Sequence, residues 1–139
     1  MNLPHVNYLA VLTSGIVIFF LGGLWYSPLL FARRWMALMG KTEEELKAVG
    51  KTSPMAMMYV LAFLCGLVIA FALAVVMNHF TQLTLARGAM VGAICWIFAG
   101  ATSYVTAIFS MQPKALWLIN SAYNLVSFIL AGMILAVWR

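Results

Sequence analysis

Glu43, Glu44 and Glu45 are the only carboxylates in this sequence, and they stand in a row within one short polar stretch. General acid–base work or an acidic metal site needs carboxylates that converge on a substrate or an ion from different directions. Three consecutive residues do not supply that. The two histidines, His5 and His79, have no acid or third ligand near them in sequence, so a metal or proton role competes with simple interfacial placement. Cys65 and Cys95 each lie about ten residues into an apolar run, near mid-membrane depth if that run is a spanning helix. Buried thiols act as small hydrophobes, and two of them alone make no metal site. No Ser-His-acid set, CxxC pair or phosphate-binding glycine loop is present. The expectation is a protein without catalysis, metal or cofactor.

The remaining polar chemistry is neutral. Trp25, Tyr26, Ser27, Thr102, Ser103, Thr106, Asn120, Ser121, Tyr123, Asn124 and Ser127 all fall toward one end of the apolar runs. Asn120, Asn124 and Ser127 recur at i, i+4 and i+7 and so share one helix face. Two accounts stay open. The cluster is interhelical glue worth ~0.6 kcal/mol per hydrogen bond, or it is a polar pocket open to the cytoplasm for a small neutral molecule or a lipid headgroup.

The elements that must position these groups are four apolar stretches, residues 6–26, 54–77, 85–109 and 115–138. At ~1.5 Å per residue, each is long enough to cross a hydrocarbon core of about 30 Å. Hydrophobic residues make up 65% of the chain and charged residues 8%, against ~25% charged in globular domains; mean hydropathy is +1.03. The sequence predicts an all-α integral membrane protein, a single four-helix transmembrane domain over 1–139. The first run lacks a basic lead and a small-x-small cleavage site and ends Trp25-Tyr26-Ser27-Pro28, as a retained span leaving a membrane interface would. No Asp, Glu, Lys or Arg lies deep in any run, which argues against proton-coupled antiporters, pumps and voltage sensors. A small multidrug transporter would need an acid in the first span, and there is none.

Net charge is +5, and its placement is informative. Arg33, Arg34, Lys41, Lys47 and Lys51 sit in the loop over 27–53 and Lys114 in the third loop, leaving Arg87 and Arg139 for the other side. The positive-inside rule makes loops one and three cytoplasmic and both termini external in a multi-pass protein; if the source is bacterial, that membrane is the inner one and the external side the periplasm. The five loop cations then serve topology and contact with anionic headgroups. No nucleic-acid partner is expected, because no basic surface interleaved with aromatics exists outside the membrane.

Local signals divide the chain further. Pro4 precedes a first helix opened by Asn7, and Ser27-Pro28 stops it. Residues 29–39 read as a short interfacial helix with Leu29, Leu30, Phe31, Met36 and Met39 toward lipid, Trp35 in the aromatic belt and Gly40 at its end. Thr42 and Glu45 have capping-box spacing, and Gly50 is the expected stop. Ser53 as N-cap with Pro54 at the first helical position launches the second span. Short connections then pair neighbouring spans as antiparallel hairpins. Small residues supply close-packing stripes: Ala62, Gly66, Ala70 and Ala74; Gly88 and Gly92; Ser127 with Ala131, and Gly132 with Ala136; Gly15, Gly22 and Gly23. They serve either packing within the chain or a homo-oligomer face, since one stripe does not easily serve both. Phe20-x-Gly22-x-x-x-Tyr26-x-x-x-x-Phe31 matches Phe98-x-Gly100-x-x-x-Tyr104-x-x-x-x-Phe109, a faint signal of a parallel two-hairpin repeat.

Asn7-Tyr8-Leu9-Ala10-Val11, Gly22-x-Leu24-Trp25-Tyr26-Ser27-Pro28-x-Leu30-Phe31 with Trp35, Leu116-Trp117-Leu118-Ile119-Asn120-x-x-Tyr123-Asn124 and Gly132-x-Ile134-Leu135-Ala136-x-Trp138 together resemble the domain-of-unknown-function family numbered seventeen sixty-one. The likeness spans essentially the whole chain, and the Trp-Tyr-Ser-Pro run is its specific part. It implies a small four-helix bacterial membrane protein and implies no activity. Relatives often carry His where Asn124 stands, so a titratable role there does not transfer. The sequence thus points to a non-enzymatic membrane protein acting by assembly, with itself or with another membrane protein, in a lipid bilayer. The alternative is a facilitator or carrier of a small neutral or lipid-like solute through the polar cluster.

Overall fold

A computed structural model describes residues 5–52 and 54–139, so Pro4 and the expected cap at Ser53 lie outside the described residues. Six helices follow in order: α1 Tyr8–Trp25, α2 Ala32–Met39, α3 Glu43–Thr52, α4 Met55–Met77, α5 Leu85–Phe109 and α6 Lys114–Val137. Among the described residues there is no strand. Four helices, α1, α4, α5 and α6, are long and apolar enough to cross a bilayer. At 1.5 Å per residue they measure about 27, 34, 37 and 36 Å.

Cap chemistry explains most boundaries. The Asn7 side-chain oxygen accepts from the backbone N–H groups of Leu9 at 3.0 Å and Ala10 at 3.2 Å, satisfying two orphan donors of α1. After Trp25 the chain folds back, with the Phe31 amide donating to the Trp25 carbonyl and the Ala32 amide to that of Ser27. Those reverse bonds delay α2 to Ala32, three residues later than the expected start. Phe31 also turns inward, its ring centroid 4.9 Å from that of Trp25, rather than toward lipid. Gly40 closes α2 in the left-handed region at φ +66°, with the Lys41 amide returning to the Met36 carbonyl. Thr42 and Glu45 form the reciprocal capping box, at 3.1 and 3.2 Å. Gly50 does not stop α3, which continues to Thr52, whose hydroxyl bonds the Val49 carbonyl at 3.1 Å. Pro54 is the N-cap of α4 and not its first helical residue, because its ψ of 99° is still extended.

The helices do not form four equal neighbours. α6 is the hub, packing on α5, α1 and α4, whereas α4 and α5 barely touch despite the short connection over 78–84. The expected α4–α5 hairpin therefore does not close. Glycine chemistry decides this outcome. A Cβ on Gly88 would collide with Gly132 and Ala136, and one on Gly92 would strike the backbone of Phe128, so α5 is drawn onto α6 at a separation only glycine permits. Gly66 performs a milder version of the same role between α4 and α1, beside Ile18 and the Gly15 carbonyl.

The buried core sits toward the end that carries the chain termini. Ala10, Val11 and Ile18 of α1 meet Ala70, Leu73, Ala74 and Met77 of α4, Val91 of α5, and Ala131, Leu135 and Ala136 of α6. At that end the Arg139 guanidinium donates to the carbonyls of Met77 and Phe80, closing the C-terminus of α4 with a cation. Toward the opposite end, which carries the basic loop, α4 loses its partners. Residues 54–65 are exposed except for half-buried Phe63. The two repeat-like motifs also part company here: α1 ends at Trp25, before Tyr26, whereas Tyr104 lies inside α5 and Phe109 is its last residue, 83% exposed.

Candidate functional site

The neutral polar residues are divided among three places and do not line one pocket. On the seam between α1 and α6, the Trp25 indole N–H donates to the Ile119 carbonyl at 3.1 Å. The Tyr26 hydroxyl donates to the Asn120 side-chain oxygen at 2.7 Å, and the Tyr123 hydroxyl to the Ile18 carbonyl at 3.0 Å. On the seam between α5 and α6, the Trp117 indole donates to the Ser103 hydroxyl at 3.1 Å and the Trp96 indole to the Ser121 carbonyl at 3.0 Å. Thr102 and Thr106 lie on the exposed side of α5, with their hydroxyls bonded to carbonyls of their own helix. Ser27 likewise bonds back to Leu24. The division has a simple origin. α6 lies against both helices, so Asn120 and Tyr123 reach the α1 side while Trp117 and the Ser121 carbonyl meet α5.

Ser14, Ser121 and Ser127 are nearly fully buried and their hydroxyls have no hydrogen-bond partner. Because Tyr123 reaches Ile18, Ser127 one turn further along α6 lies level with Ser14 one turn earlier on α1. Asn124 is half-buried on α6 between these levels. Among the described residues no three His, Cys, Asp or Glu side chains gather in a way that would hold a metal ion. Cys65 is exposed on the outside of α4 and Cys95 is half-buried against the core.

A cleft lies beside the α1–α6 seam. Phe19, Phe20, Gly22 and Gly23 of α1, Tyr26 just past its end, Tyr59 and Ala62 of α4, and Tyr123 of α6 enclose about 540 Å³, within the ~300–1,000 Å³ usual for ligand pockets. It exists because α4 splays from α1 once the glycine contact at Gly66 is passed. Ala62, placed by sequence on the packing stripe with Gly66 and Ala70, is therefore exposed and forms a wall of the cleft. Phe19 bridges the gap edge-on, with ring centroids 5.8 Å from Phe63 and 6.4 Å from Tyr59. Gly22 fits under the Tyr123 phenol, where a Cβ would stand 3.1 Å from its oxygen, while Gly23 faces open space. Tyr26 and Tyr123 are held rigid by their bonds across the seam, and their rings meet at 5.6 Å. Outside the lining, the Trp35 ring of α2 packs edge-on against Tyr26 at 5.8 Å, and Arg33 and Arg34, its neighbours in sequence, are exposed.

From sequence, Tyr26 and Tyr123 are expected in a polar pocket and Gly22, Gly23 and Ala62 on packing stripes, while Phe19, Phe20 and Tyr59 are not singled out for a site. A signal was present. Phe19, Gly22, Gly23 and Tyr26 fall at i, i+3, i+4 and i+7, a single face of α1 that alternates bulk with absence of bulk. Such a face is either packed upon or left as a recess, and only the path of α4 decides which.

Comparison with curated proteins and with solved structures finds no match. A match to a protein family does emerge, over residues 9–136, which takes in all but the first residue of α1 and the last of α6 among the four long helices, and every wall of the cleft. The chain belongs to the family described as protein of unknown function, DUF1761.

Proposed function

We propose that this chain is a non-enzymatic membrane protein that takes up a lipid-like solute in the cleft between α1 and α4. The observation that supports it is the cleft itself: an apolar, aromatic-walled space with no charged residue in its lining, open on one side where α4 leaves the bundle. Its walls are pre-set, since two of its phenols are already anchored to other helices and need no reordering on binding. With the orientation expected from the positive-inside rule, the basic loop over 27–53 faces the cytoplasm and the solute would enter from the inner leaflet. The test is ligand-dependent stabilisation. Purified protein titrated with lipids extracted from its own membrane should melt at higher temperature, and Gly23→Leu, which fills the cleft, should remove that rise. A cleft-filled variant stabilised as much as the parent would overturn the reading.

A second reading, assembly with another membrane protein or a second copy, draws on α5. This helix packs chiefly on α6, and Ile94, Ile97, Phe98, Val105, Ile108 and Phe109 remain exposed along it. The glycine stripes do not support it, because Gly88, Gly92 and Gly132 are consumed between α5 and α6. Mass spectrometry of the particle released intact from its own membrane separates the readings: a co-isolated polypeptide favours assembly, a retained lipid favours the cleft.

A further inference from the structure

We infer that the cleft's ligand is an anionic phospholipid, with one acyl chain lying between α1 and α4 and its phosphate held by Arg33 and Arg34. The inference rests on the reading of the cleft as a ligand site and names the chemical class it takes.

The tail half follows from the walls. Phe19, Phe20, Tyr59 and Ala62 offer hydrocarbon and ring faces, and a Cβ added at Gly23 would meet no atom of another helix within 4 Å. The exposed stretch 54–65 of α4 leaves the recess continuous with the surrounding acyl chains, so a lipid tail slides in sideways without leaving hydrocarbon. Water gains little there, because the tyrosine hydroxyls of Tyr26 and Tyr123 are already bonded to protein.

The head half follows from α2. The turn after Trp25 brings α2 back past the end of α1, where the Trp35 ring meets Tyr26, a wall of the cleft, while α2 itself packs on α6. Arg33 and Arg34 are adjacent and exposed on this helix. Among the described residues the one ion pair is Lys47 with Glu43, at 3.0 Å on α3, so no acid neutralises either arginine. Guanidinium groups bind phosphate through paired N–H donors, which an ammonium cannot reproduce. Charge complementarity therefore selects an anionic headgroup over a zwitterionic one, whose own choline or ethanolamine cation would face two arginines.

The test uses the full-length protein in mixed micelles holding phosphatidylglycerol and phosphatidylcholine with identical acyl chains, and native mass spectrometry counts what stays bound. The expected result is retained phosphatidylglycerol in about tenfold preference over phosphatidylcholine. The Arg33→Gln/Arg34→Gln double variant should bring the two lipids to near parity while lipid is still retained. Gly23→Leu should lose both lipids; should it fail to elute as a folded species, Ala62→Leu fills the same space from the opposite wall. Equal retention of the two lipids by the parent, or a preference unchanged in the double arginine variant, overturns this inference and leaves the cleft reading standing. Undiminished phosphatidylglycerol in a folded cleft-filled variant overturns both, and reduces the arginines to a surface that attracts headgroups.

Discussion

Gly23 and Gly92 are the same residue type in similar apolar helices, and their surroundings make opposite demands on a substitution. A Cβ at Gly92 meets the backbone of Phe128 and Ile129, which has no rotamer to change, whereas a Cβ at Gly23 meets nothing. Gly92→Leu is therefore expected to cost about 3 kcal/mol or to prevent α5 docking, read as a loss of cooperative unfolding in a detergent titration. Gly23→Leu should stay within about 0.5 kcal/mol of the parent in the same measurement. Tyr26→Phe removes the bond to Asn120 while keeping the ring, and should cost about 0.6 kcal/mol. A double-mutant cycle with Asn120→Ala should recover a coupling of that sign; zero coupling would mean the 2.7 Å bond does not persist in the membrane. The small residues and the half-buried Asn120 amide were legible in the sequence as types that need partners. Their partners were not, because helical periodicity gives the direction of a side chain relative to its own axis and says nothing about which helix stands there.

Short segments were more readable than long ones, for a physical reason. Caps act within four residues, so Asn7 on α1, Gly40 after α2 and the Thr42–Glu45 box on α3 are local facts that sequence alone contains. Thr42→Ala should weaken α3 by about 1 kcal/mol, seen as faster amide hydrogen exchange over 43–52 with the rates in α4 unchanged. The stop expected at Gly50 failed because a glycine permits a helix end without requiring one, and Thr52 supplies the closing bonds two residues later. The end of α4 depends on a residue far away in sequence, Arg139, whose guanidinium caps carbonyls at Met77 and Phe80. Nothing near residue 77 announces that.

At the scale of the whole molecule, composition and charge placement carried the reading. Four apolar runs with no charge deep inside them point to a bilayer as solvent, and the basic loop gives the orientation expected from the positive-inside rule. In a cysteine-free background, a cysteine at position 44 should react with a membrane-impermeant maleimide only after cells are opened, and one at position 82 should react in intact cells. The reverse pattern would invert the topology. The arrangement of the helices was not legible, because short loops limit only consecutive spans, and two consecutive spans, α4 and α5, hardly meet. The hub position of α6 carries a consequence for biogenesis. The helix on which α5 rests is the last of the four to be made, so α5 must wait in the membrane without its main neighbour while α6 is still inside the ribosome. Nascent chains stalled just before Lys114 should thus present α5 as an orphan to insertion chaperones and membrane proteases, and release of one further hairpin arm should end that vulnerability at once.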